Sequence, residues 1–286
     1  MAKDIRSVGI VGAGTMGSGI AQVCALSGYD ILLYDVNATL ASQALAAMES
    51  NFALETKKGR MPSQDVDRAL SRIKTVGSLD EMKADLILEA VVEKVTVKQQ
   101  LFVQLENINQ GKAILASNTS SLSITQIAAA VSNPSNCIGL HFFNPVHRMM
   151  LVEVVGGAKT APALLQRMKD FVLSLNKTPV MAKDSPGFIV NRVARHYYVE
   201  ALKVLEEQVA GVETIDGLLQ ASGFRMGPFR LMDLIGVDVN FSVTASLYEA
   251  FHQDPKFRPS RIQAQKVNAG EWGKKTGKGF YDYAGD

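Results

Sequence analysis

The chain has little of what builds secreted scaffolds, nucleic-acid binders or membrane spans. Two cysteines, Cys24 and Cys137, occur in 286 residues, both within apolar segments. That excludes a disulfide-stapled fold and leads us to expect two reduced core thiols in a reducing compartment such as the cytoplasm. A net charge of +2 argues against a nucleic-acid partner, and the longest basic patch is Lys57-Lys58-Gly59-Arg60. No apolar run is long enough to cross a bilayer, so no membrane partner is expected. Met1 to Arg6 leads straight into a strand-like run with no targeting signal. No cysteine–histidine set has metal spacing, so no metal site is expected. There is no G-x-S-x-G, no internal repeat and no low-complexity tract. Only four histidines are present, which narrows the search for a general base.

What remains is an ordinary globular composition, 47% hydrophobic and 20% charged, in a length that suggests two domains. The most informative stretch is at the start. Ile5 to Val11 reads as a buried strand, and Gly12, Gly14 and Gly17 follow at G-x-G-x-x-G spacing. A helix with Met16, Ile20, Val23 and Cys24 on its apolar side comes next. A second strand, Asp30 to Tyr34, ends at Asp35. Gly12 suits the tight turn, Gly14 the close approach of backbone to a pyrophosphate, and Gly17 the packing of helix on sheet. The helix N-terminus, with Ala13, Thr15 and Met16, presents N–H groups to phosphates. Asp35 is placed to accept from both ribose hydroxyls of an adenosine. With no arginine soon after it, the pattern favours NAD over NADP.

Strands and helices then alternate. Helices are expected at Ala38–Glu55, Ser63–Arg72, Thr96–Asn107, Ile124–Val131 (capped by Ser123) and Pro162–Leu175. Strands are expected at Ile73–Val76, Asp85–Val92, Ala113–Ala116, Cys137–His141, Leu151–Val155 and Thr178–Ala182. This is the pattern of an α/β, doubly wound, mainly parallel sheet of Rossmann type, with strands added at its far edge. It changes at Lys183-Asp184-Ser185-Pro186-Gly187. Beyond that point helices are expected at Phe188–Gln208, Val212–Ser222, Leu231–Val237, Val239–Phe251 and Ser260–Ala269, with no convincing strand before the last few residues. The expected domains are therefore residues 1–185, dinucleotide-binding, and 186–286, all helical. The helix from Phe188 is apolar on more than one face, which points to burial against a second subunit.

His141 ends a strand, where ligands bind in open α/β sheets. Glu153 sits in the apolar strand Leu151-Val152-Glu153-Val154-Val155, where a lone carboxylate is costly and needs a partner. The pair reads either as a general base with its orienting acid or as a structural ion pair. The turn Ser117-Asn118-Thr119-Ser120-Ser121 lies at another strand end, suited to a substrate oxygen or a nicotinamide. Lys57 and Lys58 read either as a solvated helix end or as a clamp for a phosphate-rich substrate.

These motifs, GAGTMG (12–17), SNTSS (117–121), HFFNP (141–145), LVEVV (151–155), DSPGFIVNR (184–192), MGPF (226–229) and GKKTGKGFYDY (273–283), resemble those of L-3-hydroxyacyl-CoA dehydrogenases. That family includes the bacterial 3-hydroxybutyryl-CoA dehydrogenases. The resemblance covers essentially the whole chain, whose length is similar to the monofunctional members rather than the fused β-oxidation proteins. It implies a homodimeric, NAD-dependent enzyme acting on an (S)-3-hydroxyacyl-CoA, short-chain in kind, interconverting 3-hydroxybutyryl-CoA and acetoacetyl-CoA. By the same resemblance His141 is the base, Glu153 its acid, and Ser120 a contact to substrate and cofactor. Asn191 is implied to hold the substrate oxygen. Asp35, Glu93, Lys98, Asn144 and Lys275 are implied cofactor contacts. The lysine for the CoA phosphates falls at Lys57 or Lys58, in a helix that departs from relatives at Asn51. The rivals are a sugar-acid or 6-phosphogluconate-type dehydrogenase on the same fold, and a non-catalytic dinucleotide-binding or lens-type protein. The Phe142-Phe143 pair and the two lysines favour an acyl-CoA.

Overall fold

The computed structural model describes residues 5–285. The chain divides into two compact units, residues 1–185 and 186–286.

The first unit is built on an eight-stranded sheet. Its strands are β1 (Ser7–Val11), β2 (Asp30–Tyr34), β3 (Ile73–Thr75), β4 (Leu86–Glu89), β5 (Ile114–Ser117), β6 (Cys137–Phe142), β7 (Leu151–Gly156) and β8 (Thr178–Lys183). The order is β3-β2-β1-β4-β5-β6-β7-β8. All neighbours run parallel except β6 and β7. The sheet is therefore doubly wound about β1 and mainly parallel. Helices α1 (Thr15–Leu26), α2 (Ala38–Lys57), α3 (Ser63–Leu70), α4 (Val95–Ile108), α5 (Ile124–Ala128) and α6 (Pro162–Ser174) connect the strands. The central strands are buried on both faces: Val8, Ile10, Leu86, Leu88, Ile138 and Leu140 pack on one side, and Val11, Ile87, Leu115 and Cys137 on the other.

β1, β3 and β4 are shorter than their apolar runs predict, β3 by one residue at Thr75, and side-chain carboxylates explain β1 and β4. β1 starts at Ser7, not Ile5, because the Asp85 carboxylate accepts from the N–H groups of Arg6 (2.9 Å) and Ser7 (3.0 Å). β4 stops at Glu89, not Val92. The Glu89 side chain accepts from the Val91 N–H at 2.8 Å and folds the chain out of the sheet. Helix α5 stops at Ala128, three residues early. Its N-terminus is capped by Ser123, as expected, and also by Asp184, which accepts from the N–H groups of Ile124 (2.9 Å) and Thr125 (2.7 Å).

The second unit holds α7 (Val190–Glu206), α8 (Val212–Ala221), α9 (Pro228–Ile235), α10 (Val237–Ala250) and α11 (Arg261–Asn268). Helix α9 begins at Pro228 rather than Leu231. Asp216 of α8 caps it, accepting from the N–H groups of Phe229 (2.9 Å) and Arg230 (3.0 Å). A β-carbon at Gly227 would overlap Asp216, which explains the glycine of MGPF. The C-terminal aromatic loop docks on Asp233, whose carboxylate accepts from the N–H groups of Phe280 and Tyr281, both at 2.9 Å. Helix α7 is less uniformly apolar than its sequence suggests. Arg195 lies among its buried residues and donates to the Asn240 carbonyl and the Thr244 hydroxyl, both at 2.9 Å. Burial pulls its pKa down to about 10. The helix still leaves Val193 67% exposed.

Candidate functional site

The glycine turn joins β1 to α1, and each glycine has its own physical reason. Gly12 has φ +102°, and a β-carbon there would lie 2.6 Å from the Ala90 carbonyl oxygen. A β-carbon on Gly17 would fall on the Gly12 carbonyl, so α1 can approach the turn only without one. At Gly14 a β-carbon would meet no protein atom within 4 Å. Among the described residues no neighbour in space requires that glycine, and the space it leaves open is where a ligand's phosphate would approach. No side chain caps α1 and no acid lies in its first turn, so the helix end favours an anion. Asp35, just past β2, accepts from the Ala13 N–H at 2.8 Å and the Asn37 N–H at 2.9 Å. The glycine turn and the acid beside it fit a dinucleotide.

β6 and β7 supply the titratable pair. Their antiparallel register sets His141 opposite Glu153, with Nδ1 and Oε2 2.7 Å apart. Exposure is 5% for His141 and 0% for Glu153. A carboxylate at that distance is placed to accept an Nδ1–H of the imidazole. Phe143 packs on the imidazole with ring centroids 4.4 Å apart. Lys177 braces the loop between the two strands, donating to the carbonyls of Val146 (2.6 Å) and Met149 (2.7 Å). Burial lowers the Lys177 pKa.

The polar turn after β5 is tied down on both sides. Asn118 receives the Phe142 N–H on its side-chain oxygen at 2.9 Å, one residue past His141. Its own N–H donates to the Glu89 carbonyl at 2.9 Å. Glu93 accepts from the Thr119 hydroxyl (2.5 Å), the Ser120 N–H (3.1 Å) and the Ser121 hydroxyl (3.2 Å). Burial alone would raise the Glu93 carboxyl, but Lys98, the Thr119 hydroxyl and the Ser120 N–H hold it below the usual carboxylate range. Lys98 is 1% exposed and turns its ammonium inward, to Glu89 at 2.5 Å and to Glu93 at 3.2 Å. It thus meets the open surface only through Glu93. Glu89 has no role from the sequence, and Asn118, expected only as part of the polar turn, is taken up in bracing β6. Glu89 carries the same signal as Glu153, an acid inside an apolar strand.

A cavity of about 180 Å³ lies between α1, α2 and the loop after β6, lined among others by Thr15, Gln22, Asn51, Asn144 and His147. Gly19 lets that loop come close, since a β-carbon there would be 2.9 Å from Val146. Lys57 and Lys58 are exposed at the end of α2. Lys58 is 3.8 Å from Glu55. In the helical unit, Asn191 lies in the first turn of α7, and Lys275 pairs with Asp238 at 2.6 Å.

Comparison with known proteins agrees along the chain. Residues 7–185 match the 3-hydroxyacyl-CoA dehydrogenase NAD binding domain, and residues 187–283 match the C-terminal domain of the same family. A 3-hydroxyadipyl-CoA dehydrogenase of Escherichia coli K12 is 45% identical over 99% of this chain, which spans 60% of that protein's length. A 3-hydroxybutyryl-CoA dehydrogenase of Bradyrhizobium diazoefficiens is 42% identical over 100% of this chain and 98% of its own. The crystal structure of (S)-3-hydroxybutyryl-CoA dehydrogenase from Ralstonia eutropha superposes with TM-score 0.93, at 40% identity, covering 98% of this chain and 99% of that one. With the glycine turn, the His141–Glu153 pair and both family domains present, the chain belongs to the 3-hydroxyacyl-CoA dehydrogenase family.

Proposed function

We propose that this protein is an NAD-dependent (S)-3-hydroxyacyl-CoA dehydrogenase acting on short chains, with 3-hydroxybutyryl-CoA and acetoacetyl-CoA as its substrate pair. The observation that carries the reading is the buried 2.7 Å contact between His141 and Glu153 at a strand end. Nε2 of His141 takes the 3-hydroxyl proton, while Glu153 holds Nδ1–H and stabilises the imidazolium. In the reductive direction the imidazolium returns that proton to the developing alkoxide. Ser120 donates a hydrogen bond to the same oxygen and stabilises its charge; Asn191 keeps the substrate role that the family resemblance gives it. NAD, when bound, supplies the hydride acceptor. Gly12, Gly14, Gly17, Asp35, Glu93, Asn144 and Lys275 are the residues that would hold it, with Lys98 behind Glu93.

Lys57 and Lys58 take the CoA phosphates, with the cavity that reaches Asn51 lying between α2 and the loop carrying Asn144. The protein works as a homodimer joined through its helical unit, a reading supported by the exposure of Val193 (67%), Leu218 (66%) and Leu234 (53%). The cytoplasm is its compartment; Cys24 and Cys137 are free, buried thiols that burial pushes up to about 12. Among the described residues no helix is long and apolar enough to cross a membrane. The experiment is a panel of initial rates of NADH oxidation with acetoacetyl-CoA, longer 3-ketoacyl-CoAs and sugar acids. Acetoacetyl-CoA should have the highest kcat/KM, and preference for a sugar acid would contradict the reading.

A further inference from the structure

Three ionisable side chains run unbroken across the ends of β4 and β5. Glu89 is 0% exposed. One of its oxygens accepts from Lys98 at 2.5 Å and from the Val91 N–H at 2.8 Å. The other accepts from the Ser117 hydroxyl at 2.7 Å. Lys98 then meets Glu93 at 3.2 Å, and the Glu93 side chain is 38% exposed. Two carboxylates share one ammonium, so the set carries one net negative charge, and its open end is Glu93.

The position of this charge matters. Sheet order puts β4 and β5 on the side of β1 away from β2, the strand that leads to Asp35. A dinucleotide with its adenosine at Asp35 and its pyrophosphate on α1 extends its other half over β4 and β5. That half is a nicotinamide, cationic when oxidised and neutral when reduced. A fixed negative charge attracts the first form and is nearly indifferent to the second.

We propose that the Glu89–Lys98–Glu93 set tunes the relative affinity of the site for the oxidised and reduced cofactor, with Glu89 fixing its net charge through Lys98. The inference rests on the dehydrogenase reading above. Glu89 touches no open surface and is a positioning residue. Its removal leaves Lys98 to neutralise Glu93, so the set becomes uncharged. Removing Glu89 and Lys98 together leaves Glu93 alone and restores the single negative charge.

The test measures dissociation constants of the cofactor-free protein, for NADH by fluorescence and for NAD+ by displacement, at fixed ionic strength. Glu89→Gln should raise the ratio of the NAD+ constant to the NADH constant roughly three- to tenfold. Glu89→Gln with Lys98→Met should return the ratio to within about twofold of the wild type. A merely structural role would weaken both forms together and further in the double variant. Either an unmoved ratio in Glu89→Gln or a double variant farther from wild type than the single overturns the proposal. If Glu89→Gln does not fold, Glu93→Gln removes the same charge from a part-exposed position and must raise the ratio too; an unmoved ratio there overturns the proposal. A wild-type protein that binds neither form contradicts the dehydrogenase reading itself, and this proposal with it.

Discussion

Asp35 closes the glycine turn: its Oδ2 accepts from the Ala13 N–H at 2.8 Å, so the same carboxylate that would meet the adenosine ribose also holds the turn in shape. A 2′-phosphate brought to that position would face a negative charge with no arginine from Val36 to Gly59 to offset it. NAD should therefore be strongly preferred over NADP. Asp35→Ala should narrow the preference about tenfold, the equivalent of ~1.4 kcal/mol of lifted repulsion, and should also weaken NAD because the turn loses its acceptor. Equal kcat/KM for the two cofactors in the wild type would contradict this.

For the basic end of α2, the expectation is joint action. Lys57 and Lys58 are both exposed, so any phosphate contact they make would be screened by salt. Replacing both by Ala should raise the KM for acetoacetyl-CoA roughly three- to tenfold at low ionic strength and leave the KM for NADH unchanged. The effect should shrink at high salt. An unaltered KM at low salt would remove the clamp from these residues.

Asp85 predicts a specific acid sensitivity. Burial raises its pKa, but the N–H groups of Ser7 and Arg6 and the Ser7 hydroxyl outweigh that and leave the folded-state value lowered. A lowered carboxylate contributes stability that is complete above the unfolded pKa of about 3.9 and is lost as pH falls through the folded value. Asp85→Asn should cost about 1–2 kcal/mol at neutral pH and flatten the stability profile below about pH 4. Denaturant titrations at several pH values would check it. A variant with the wild-type acid profile would show that Asp85 is not the responsible group.

The proposed dimer rests on the exposed apolar residues of the helical unit. Light scattering at micromolar protein and ordinary salt should give the mass of a dimer. Replacing Val193 and Leu218 with charged residues should shift the population toward monomer. A monodisperse wild-type monomer would refute the expectation.

Much of this site was legible because each signal was local. The spacing of Gly12, Gly14 and Gly17 between two apolar runs determines strand, turn and helix together. Glu153 announced itself as an acid in an apolar strand, and the strand-end histidine was its natural partner. Glu89 carried the same sign within Asp85-Leu86-Ile87-Leu88-Glu89-Ala90-Val91-Val92, yet its partner Lys98 lies on the next helix, in a register no local pattern reveals. The early stop of β4 is a consequence of that same side chain, which takes the Val91 N–H. In the helical unit, Arg195 was hidden among apolar neighbours because its acceptors, Asn240 and Thr244, are more than forty residues away in sequence. Long-range polar partners, not periodicity, account for most of the differences.

The central claim is that His141 and Glu153 act as one proton-transfer unit while the cofactor is held elsewhere. A double-mutant cycle on kcat for acetoacetyl-CoA reduction, with NADH affinity measured separately, tests it most directly. His141→Gln should lower kcat by about a hundredfold or more, and Glu153→Gln by less or by a similar factor. The double variant should be no slower than the slower single by more than about threefold, because residues acting as a unit do not contribute independently. NADH affinity should stay within about twofold throughout, since neither residue belongs to the glycine turn or to Asp35. Near-normal turnover in His141→Gln, or losses that multiply in the double variant, would contradict the account.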